Sequence, residues 1–328
     1  MNKTARGCLV AAATAMVLTA VATLLFAWRY GARWGVYLRE PSPQEYADAA
    51  LSLMDEGYYA RTDDWHEVRE MVRGQLAGAA SYEETHALLA DALSVAGGPH
   101  SRLVPANTSP LEASASSPAL PEVTFRADNI LVLRLPAFAG DDAAKAAYAE
   151  AALAALEEHA STRGVIVDLR GSGGDDLAPL VGAVAPLLPD GDILLVEHAD
   201  GHRDALTLKG GRFSGGTGIT VTAEKLPLRP VALLTDENTA SSAEALVVAF
   251  RGSTNVRTFG KTTAGLASIN VTRRLYDGTQ LILTIGASVA PRTGEVYGDQ
   301  PIRPDAPCDD PEEEAAAWIR GERLSVAH

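Results

Sequence analysis

Cysteine is nearly absent from this chain: two residues in 328. Cys8 sits in an apolar run near the N-terminus, without the Leu-x-x-Cys setting of a lipid anchor, and Cys308 is the only thiol in the rest. A disulfide within that remainder and a cysteine-ligated metal site are thereby excluded. Basic residues are also in short supply, 28 Lys+Arg against 42 Asp+Glu, for a net charge of −14 and a pI near 4.9. Phosphate binding needs a basic face, so this balance argues against a nucleic-acid binder. There is no internal repeat, no heptad array, and no acidic tail beyond the short Asp309–Glu314 cluster. What is present is ordinary for a globular protein: 47% hydrophobic and 21% charged residues. The length admits one large domain or two ordinary ones, with a sizeable core.

The N-terminus carries the one long apolar run. Lys3 and Arg6 precede an uncharged stretch from Gly7 to Trp28, which as a helix has the roughly 20 residues that a bilayer requires. Signal peptides have shorter apolar cores, of about 7–15 residues. Trp28, Arg29 and Tyr30 end the run in residues suited to a membrane interface rather than a cleavage site. Residues 1–35 are therefore expected to be a retained signal anchor, a single transmembrane segment, with a cleaved signal as the alternative. Arg29, Arg33 and Arg39 follow the run, so the positive-inside rule does not fix its orientation.

Residues 36–104 predict a helical bundle. Pro41-Ser42-Pro43 opens it, apolar positions recur at helical spacing in YADAALSLM and VREMVRGQLAG, and Gly97-Gly98-Pro99 stops a third helix just before His100. Residues 105–121 are rich in Pro, Ser and Ala and predict a linker or exposed loop. From 122 to 307 strands alternate with helices: strands at 129–135, 164–169, 193–197 and 231–235, helices at 141–159, 177–188 and 241–250. That alternation predicts an α/β domain built on a mainly parallel sheet covered on both faces. Leu281–Ile285 and Ser288–Ala290 are expected to form a late hairpin, and residues 308–328 a C-terminal tail.

Two strand-to-helix turns and one histidine carry the chemistry. Asp168-Leu169-Arg170-Gly171-Ser172-Gly173-Gly174 follows a buried strand, and its glycines leave amide N–H groups open to an oxyanion or phosphate. It lacks the Gly-Lys-Ser/Thr ending of a Walker loop and the third glycine of a dinucleotide fingerprint. Thr239-Ala240-Ser241-Ser242-Ala243-Glu244 stands between a strand and an apolar helix. Ser241 there reads either as a capping-box N-cap with Glu244 reaching back, or as an exposed nucleophile with the next N–H free for an oxyanion. Gly-x-Ser-x-Gly is absent, so an α/β-hydrolase is not indicated. His100 lies on a rigid helix-ending turn, where an imidazole serves as a general base or simply bonds to backbone. His198 and His202 have metal-ligand spacing, but Ala199-Asp200-Gly201 between them reads as a turn and leaves them solvated. Asn107-Thr-Ser and Asn270-Val-Thr match the glycosylation triplet.

Taken in order, AGGPHSRL, NILVLRLPAF, GVIVDLRGSGGDDLAPLVGAVAPLL, VALLTDENTASSAEALVVAFRG, VRTFGKTTAGLASIN, LYDGTQLILTIGASVAPRTGEVYG and IRPD resemble the S41 serine peptidases, the C-terminal-processing and tricorn-core type. The resemblance covers roughly residues 41–307 and implies a ClpP/crotonase-like ββα superhelix as catalytic core. It implies Ser241 as nucleophile, an oxyanion site at the Gly173, Gly174 and Ser242 amides, and no metal or cofactor. The motif's usual Asn is Ser172 here, and the segment is one residue shorter.

The processing branch takes its base from a lysine after Gly-x-x-Thr-x-Gly. Leu266 occupies that place, and Lys261 lies too early in the segment. The tricorn-like branch uses a histidine, which falls on His100, though the acidic residue usual before it is missing. Glu295 and Asp299 both lie near the place of the orienting carboxylate. No segment looks like an inserted PDZ domain, and the space between His100 and NILVLRL is too short to hold one. The resulting expectation is a membrane-anchored or secreted, extracytoplasmic serine peptidase acting on polypeptides. The alternatives are a non-catalytic peptide- or apolar-ligand-binding protein on the same scaffold, or a non-peptidase acyl hydrolase.

Overall fold

The computed structural model describes residues 3–31, 35–106 and 119–322, with side chains in the first helix from residue 14 to 27. Most of the expected 105–121 linker, with Asn107, and the last six residues of the expected tail lie outside the described residues. The chain divides into two compact units. One is Met1–Pro110 with Asn270–Thr284, and the other Leu111–Ile269 with Ile285–His328.

In the first unit the apolar run forms α1 (Lys3–Tyr30), on which Met16, Leu18, Leu24 and Phe26 are exposed. Among the described residues no helix is long and apolar enough to cross a membrane, so the expected transmembrane segment is unconfirmed. Three helices follow: α2 (Pro43–Met54), α3 (Asp63–Gln75) and α4 (Glu83–Gly97). Their starts are written in the sequence. Ser42 and Glu45 form a capping box around Pro43, and the Thr62 side chain accepts the N–H of Trp65. Tyr46, Leu51, Leu53, Trp65, Leu89 and Leu93 are buried. After α4, strand β1 (Arg102–Val104) pairs antiparallel with Gln280–Ile282, Arg102 facing Ile282 and Val104 facing Gln280.

The second unit opens with β2 (Glu122–Phe125), antiparallel to β3 (Ile130–Arg134). Next come α5 (Asp142–Glu158), β4 (Gly164–Asp168), α6 (Leu177–Val184), β5 (Gly191–His198), β6 (Arg203–Lys209), β7 (Arg212–Ser214), β8 (Ile219–Thr220), β9 (Val231–Thr235), α7 (Ser242–Phe250) and β10 (Val256–Gly260). The chain continues through β11 (Ser268–Arg274), β12 (Gln280–Val289), β13 (Val296–Tyr297), β14 (Ala306–Pro307) and α8 (Pro311–Arg320). One six-stranded sheet runs β14-β10-β9-β4-β3-β2 and is parallel except at β2, as the alternation predicts. The antiparallel pairing of Gly286–Val289 with β5, and of β5 through β8 in turn, was not expected. Nor do Leu281–Ile285 and Ser288–Ala290 make a hairpin. They fall largely on one continuous strand, β12, which passes through Gly286 without turning because Gly286 stays paired with His198 of β5.

Strand alternation sorts the core of this unit. Leu131, Leu133, Val165, Val167, Val231 and Leu233 point to the face packed by α5, α6 and α7, while Ile130, Val132, Ile166, Ala232, Leu234 and Phe259 meet α8. A Cβ at Gly164 would lie 2.6 Å from Ile319 Cγ2, so glycine there lets α8 close on the sheet. All nine residues of α7 are buried, which accounts for its apolarity on every side.

Candidate active site

The serine turn sits at the C-terminal end of β9, where a parallel sheet presents its loops. Ser241 precedes α7 with φ 54° and ψ −118°, unlike the extended N-caps Ser42, Thr62 and Asp141. A left-handed φ on a non-glycine residue is strain that surrounding bonds must hold. The main holder is Glu244, which is fully buried. Its carboxylate accepts Ser241 N–H at 3.1 Å, Gly265 N–H at 2.9 Å, Leu266 N–H at 2.7 Å and the Thr263 hydroxyl. Glutamate thus reaches back as the capping-box reading expects, while also fixing the 263–266 loop.

The glycine turn is lashed to the same place. Ala240 N–H donates to Ser172 O at 2.9 Å, Thr239 Oγ1 to Leu169 O at 2.9 Å, and Gly171 N–H to Asp236 Oδ1 at 3.0 Å. Arg170 closes on Asp168, with Nε 2.8 Å and Nη2 2.7 Å from its carboxylate oxygens. Gly174 has φ 90°, and a Cβ on it would stand 2.6 Å from Ser241 Cβ and 2.8 Å from Ser242 N. A Cβ on Gly173 would meet nothing within 4 Å. Asp175 follows with φ 117°, a second strained non-glycine residue. Of the residues expected in the site, Gly174, Ser241 and Ser242 are therefore brought together in this unit. Ser242 is the first helical residue, so its N–H has no intrahelical partner. Ser172 and Ser242 are buried, with hydroxyls that make no hydrogen bond. The Ser172 side chain thus does none of the bracing that its carbonyl does.

His100 belongs to the first unit and is buried in the Gly98–Ser101 turn, closed by Ser101 N–H to Gly98 O at 3.1 Å with Pro99 at the second position. Asn270 Nδ2 lies 3.5 Å from His100 O. That half-buried amide also accepts the Thr284 hydroxyl, so the Asn270 triplet is engaged inside the fold.

The remaining expectations resolve locally. Lys261 Nζ points to Glu237 at 3.4 Å and is exposed, while the Leu266 backbone serves Glu244. Glu295 is exposed and accepts hydroxyls from Thr293 and Tyr297 in its own turn. His198 and His202 both turn Nε2 to Asp204, at 2.9 and 3.2 Å. Among the described residues no group of three or more His, Cys, Asp or Glu could hold a metal ion. The sequence reading missed the second role of Glu244. Its signal was a carboxylate placed in an otherwise apolar helix.

Known proteins share the sequence pattern and the fold of this chain. The profile of peptidase family S41 matches residues 129–308. A nisin-resistance protein from Lactococcus lactis subsp. lactis is 34% identical over 302 residues, spanning 91% of this chain and 93% of that protein. Among solved structures, a lipoprotein from Streptococcus agalactiae has a TM-score of 0.76 at 26% identity, covering 87% of this chain and 99% of its own. The photosystem II D1 C-terminal processing protease shares the fold, with a TM-score of 0.59 at 16% identity over 82% of this chain and 94% of that one. The profile covers more than half of the sequence, and the chain belongs to peptidase family S41, a family of serine peptidases.

Proposed function

We propose that this peptidase hydrolyses peptide bonds with Ser241 as nucleophile and His100 as general base. The observation that carries the reading is the strained Ser241 turn, held by buried Glu244 and pressed against Gly174. Strain of this kind persists where the surroundings over-determine it, which is characteristic of reacting residues. In the proposed mechanism His100 takes the hydroxyl proton as Ser241 Oγ attacks the scissile carbonyl. The amides of Gly173 or Gly174 and of Ser242 receive the oxyanion, and His100 returns the proton to the leaving amine. Water then repeats the sequence on the acyl-enzyme, and the serine is restored. This chemistry needs no metal and no cofactor.

The substrate is a polypeptide, and nisin is the first to try, because a relative covering nearly all of this chain is named for resistance to it. The proposed location is extracytoplasmic and membrane-associated. The apolar Gly7–Trp28 run, the exposed Leu and Phe side chains of α1, and the likeness to a lipoprotein support it.

The test is fluorophosphonate labelling of the full chain beside Ser241→Ala and His100→Ala, with mass spectrometry of nisin incubated with each. Labelling and cleavage should both disappear in the two variants. A folded wild-type chain that neither labels nor cleaves would turn the assignment toward a binding protein on the same scaffold. Labelling without peptide cleavage would turn it toward a non-peptidase acyl hydrolase.

A further inference from the structure

Building on His100 as the general base, we infer that Ser101, Thr284 and Asn270 form a positioning relay that fixes the His100 turn. The Ser101 hydroxyl donates to Thr284 Oγ1 at 3.2 Å while accepting Thr284 N–H at 2.9 Å. Thr284 Oγ1 donates to Asn270 Oδ1 at 2.7 Å, and Asn270 Nδ2 donates to the His100 carbonyl at 3.5 Å. Since His100 and Ser101 are adjacent, the bonds close a ring through the backbone.

Three features make the ring more than packing. Its side-chain donors all run in one sense, from Ser101 to Thr284 to Asn270 to the His100 carbonyl, so each bond polarises the next. Ser101 and Thr284 are buried, where an unmade bond costs more than in water. The backbone is also shaped to admit it: a Cβ at Gly97 would stand 2.1 Å from Ser101 Oγ and 2.9 Å from Leu283 Cδ1.

The ring's far side is itself anchored. Asp277, in the turn between β11 and β12, accepts Tyr46 OH at 3.1 Å, Thr279 N–H at 3.0 Å and Thr279 Oγ1 at 2.8 Å, and meets His86 Nε2 at 3.2 Å. The Asn270–Thr284 arm is thereby held on α2 and α4 at its tip and on the His100 turn at its base. These residues act on the reaction through His100 and touch no reacting atom.

The experiment measures the rate of fluorophosphonate labelling of the full chain against pH, for Thr284→Val, Thr284→Ser and His100→Ala. Thr284→Val keeps the branched shape and removes the relay hydroxyl. It should lower the maximal rate constant about tenfold or more, as expected when a reacting group drifts by a fraction of an ångström. It should also displace the pH midpoint of labelling and leave the half-saturating probe concentration unchanged. Thr284→Ser restores the hydroxyl and should return both rate and midpoint toward wild type. Asn270→Leu, which cuts the ring at a half-buried position, gives the same readout if Thr284→Val does not fold. An unchanged midpoint and rate in a folded relay variant would overturn the relay alone, provided His100→Ala is inactive. A fully active His100→Ala would instead remove the general-base reading, and the relay with it.

Discussion

The buried carboxylate of Glu244 accepts the backbone N–H of Ser241 at 3.1 Å and, with the same group, the N–H groups of Gly265 and Leu266. One side chain therefore holds the strained serine turn and the 263–266 loop together. Glu244→Ala strands several buried donors, each worth about 1–3 kcal/mol when left unmade. It should destabilise the second unit by several times that of an average surface substitution, measurable by urea denaturation. Glu244→Gln retains acceptor capacity and should fold, yet label at least about tenfold more slowly because its amide cannot accept from every donor. Wild-type labelling in Glu244→Gln would show that the turn keeps its shape without the charge.

Gly173 and Gly174 should respond differently to the same methyl group. Gly174→Ala puts Cβ 2.6 Å from Ser241 Cβ at a φ of 90°, so labelling should be abolished, with a stability loss on the order of 1–3 kcal/mol. Gly173→Ala meets nothing within 4 Å and should fold with near wild-type stability. Equal labelling of the two variants would remove Gly174 from the site.

A lysine-based dyad makes a distinct forecast. Lys261 faces Glu237 on the surface, and an exposed ion pair of this kind contributes about 0–1 kcal/mol. Lys261→Met should therefore label within about twofold of wild type, a change of under 1 kcal/mol. A large loss would revive lysine as the base.

Acid stability should depend on Asp305. Burial by itself would raise its pKa, but Thr258 N–H and Oγ1, both at 2.8 Å, and Arg251 at 2.7 Å hold the carboxyl below its ordinary value of 3.8. A folded-state pKa that is depressed contributes stability above the unfolded value, and this is lost as pH falls through the folded one. In urea titrations the advantage of wild type over Asp305→Asn should be full at neutral pH and shrink below about pH 4. An advantage that stays constant down to pH 2 would contradict this linkage.

Much of this was legible in the sequence because local rules agreed with the fold. The Pro41-Ser42-Pro43 start of α2, the buried runs at β3, β4 and β9, and the glycine-rich turn after Asp168 each specify their own conformation. The antiparallel pairing of β5 through β8 was not legible, since short strands such as β7 and β8 carry too few residues to show a period. The continuity of β12 was hidden by Gly286, which reads as a break but lies within the strand, where a Cβ would stand 2.7 Å from Val196 Cγ1. The relay around His100 was unreadable for a different reason. Ser101 and Thr284 meet across 183 positions, and no local pattern records such a meeting.

That separation sets an order of events during synthesis. At roughly 5–20 residues per second, Thr284 leaves the ribosome on the order of ten to forty seconds after Ser101. Throughout that interval the nascent N-terminal unit lacks its Asn270–Thr284 arm, and β1 has no strand to pair with. A chain halted between residues 241 and 284 carries Ser241 but lacks the hydrogen bonds from Thr284 that hold the His100 turn. The hydrogen bonds that hold the His100 turn are therefore among the late-formed contacts of the first unit.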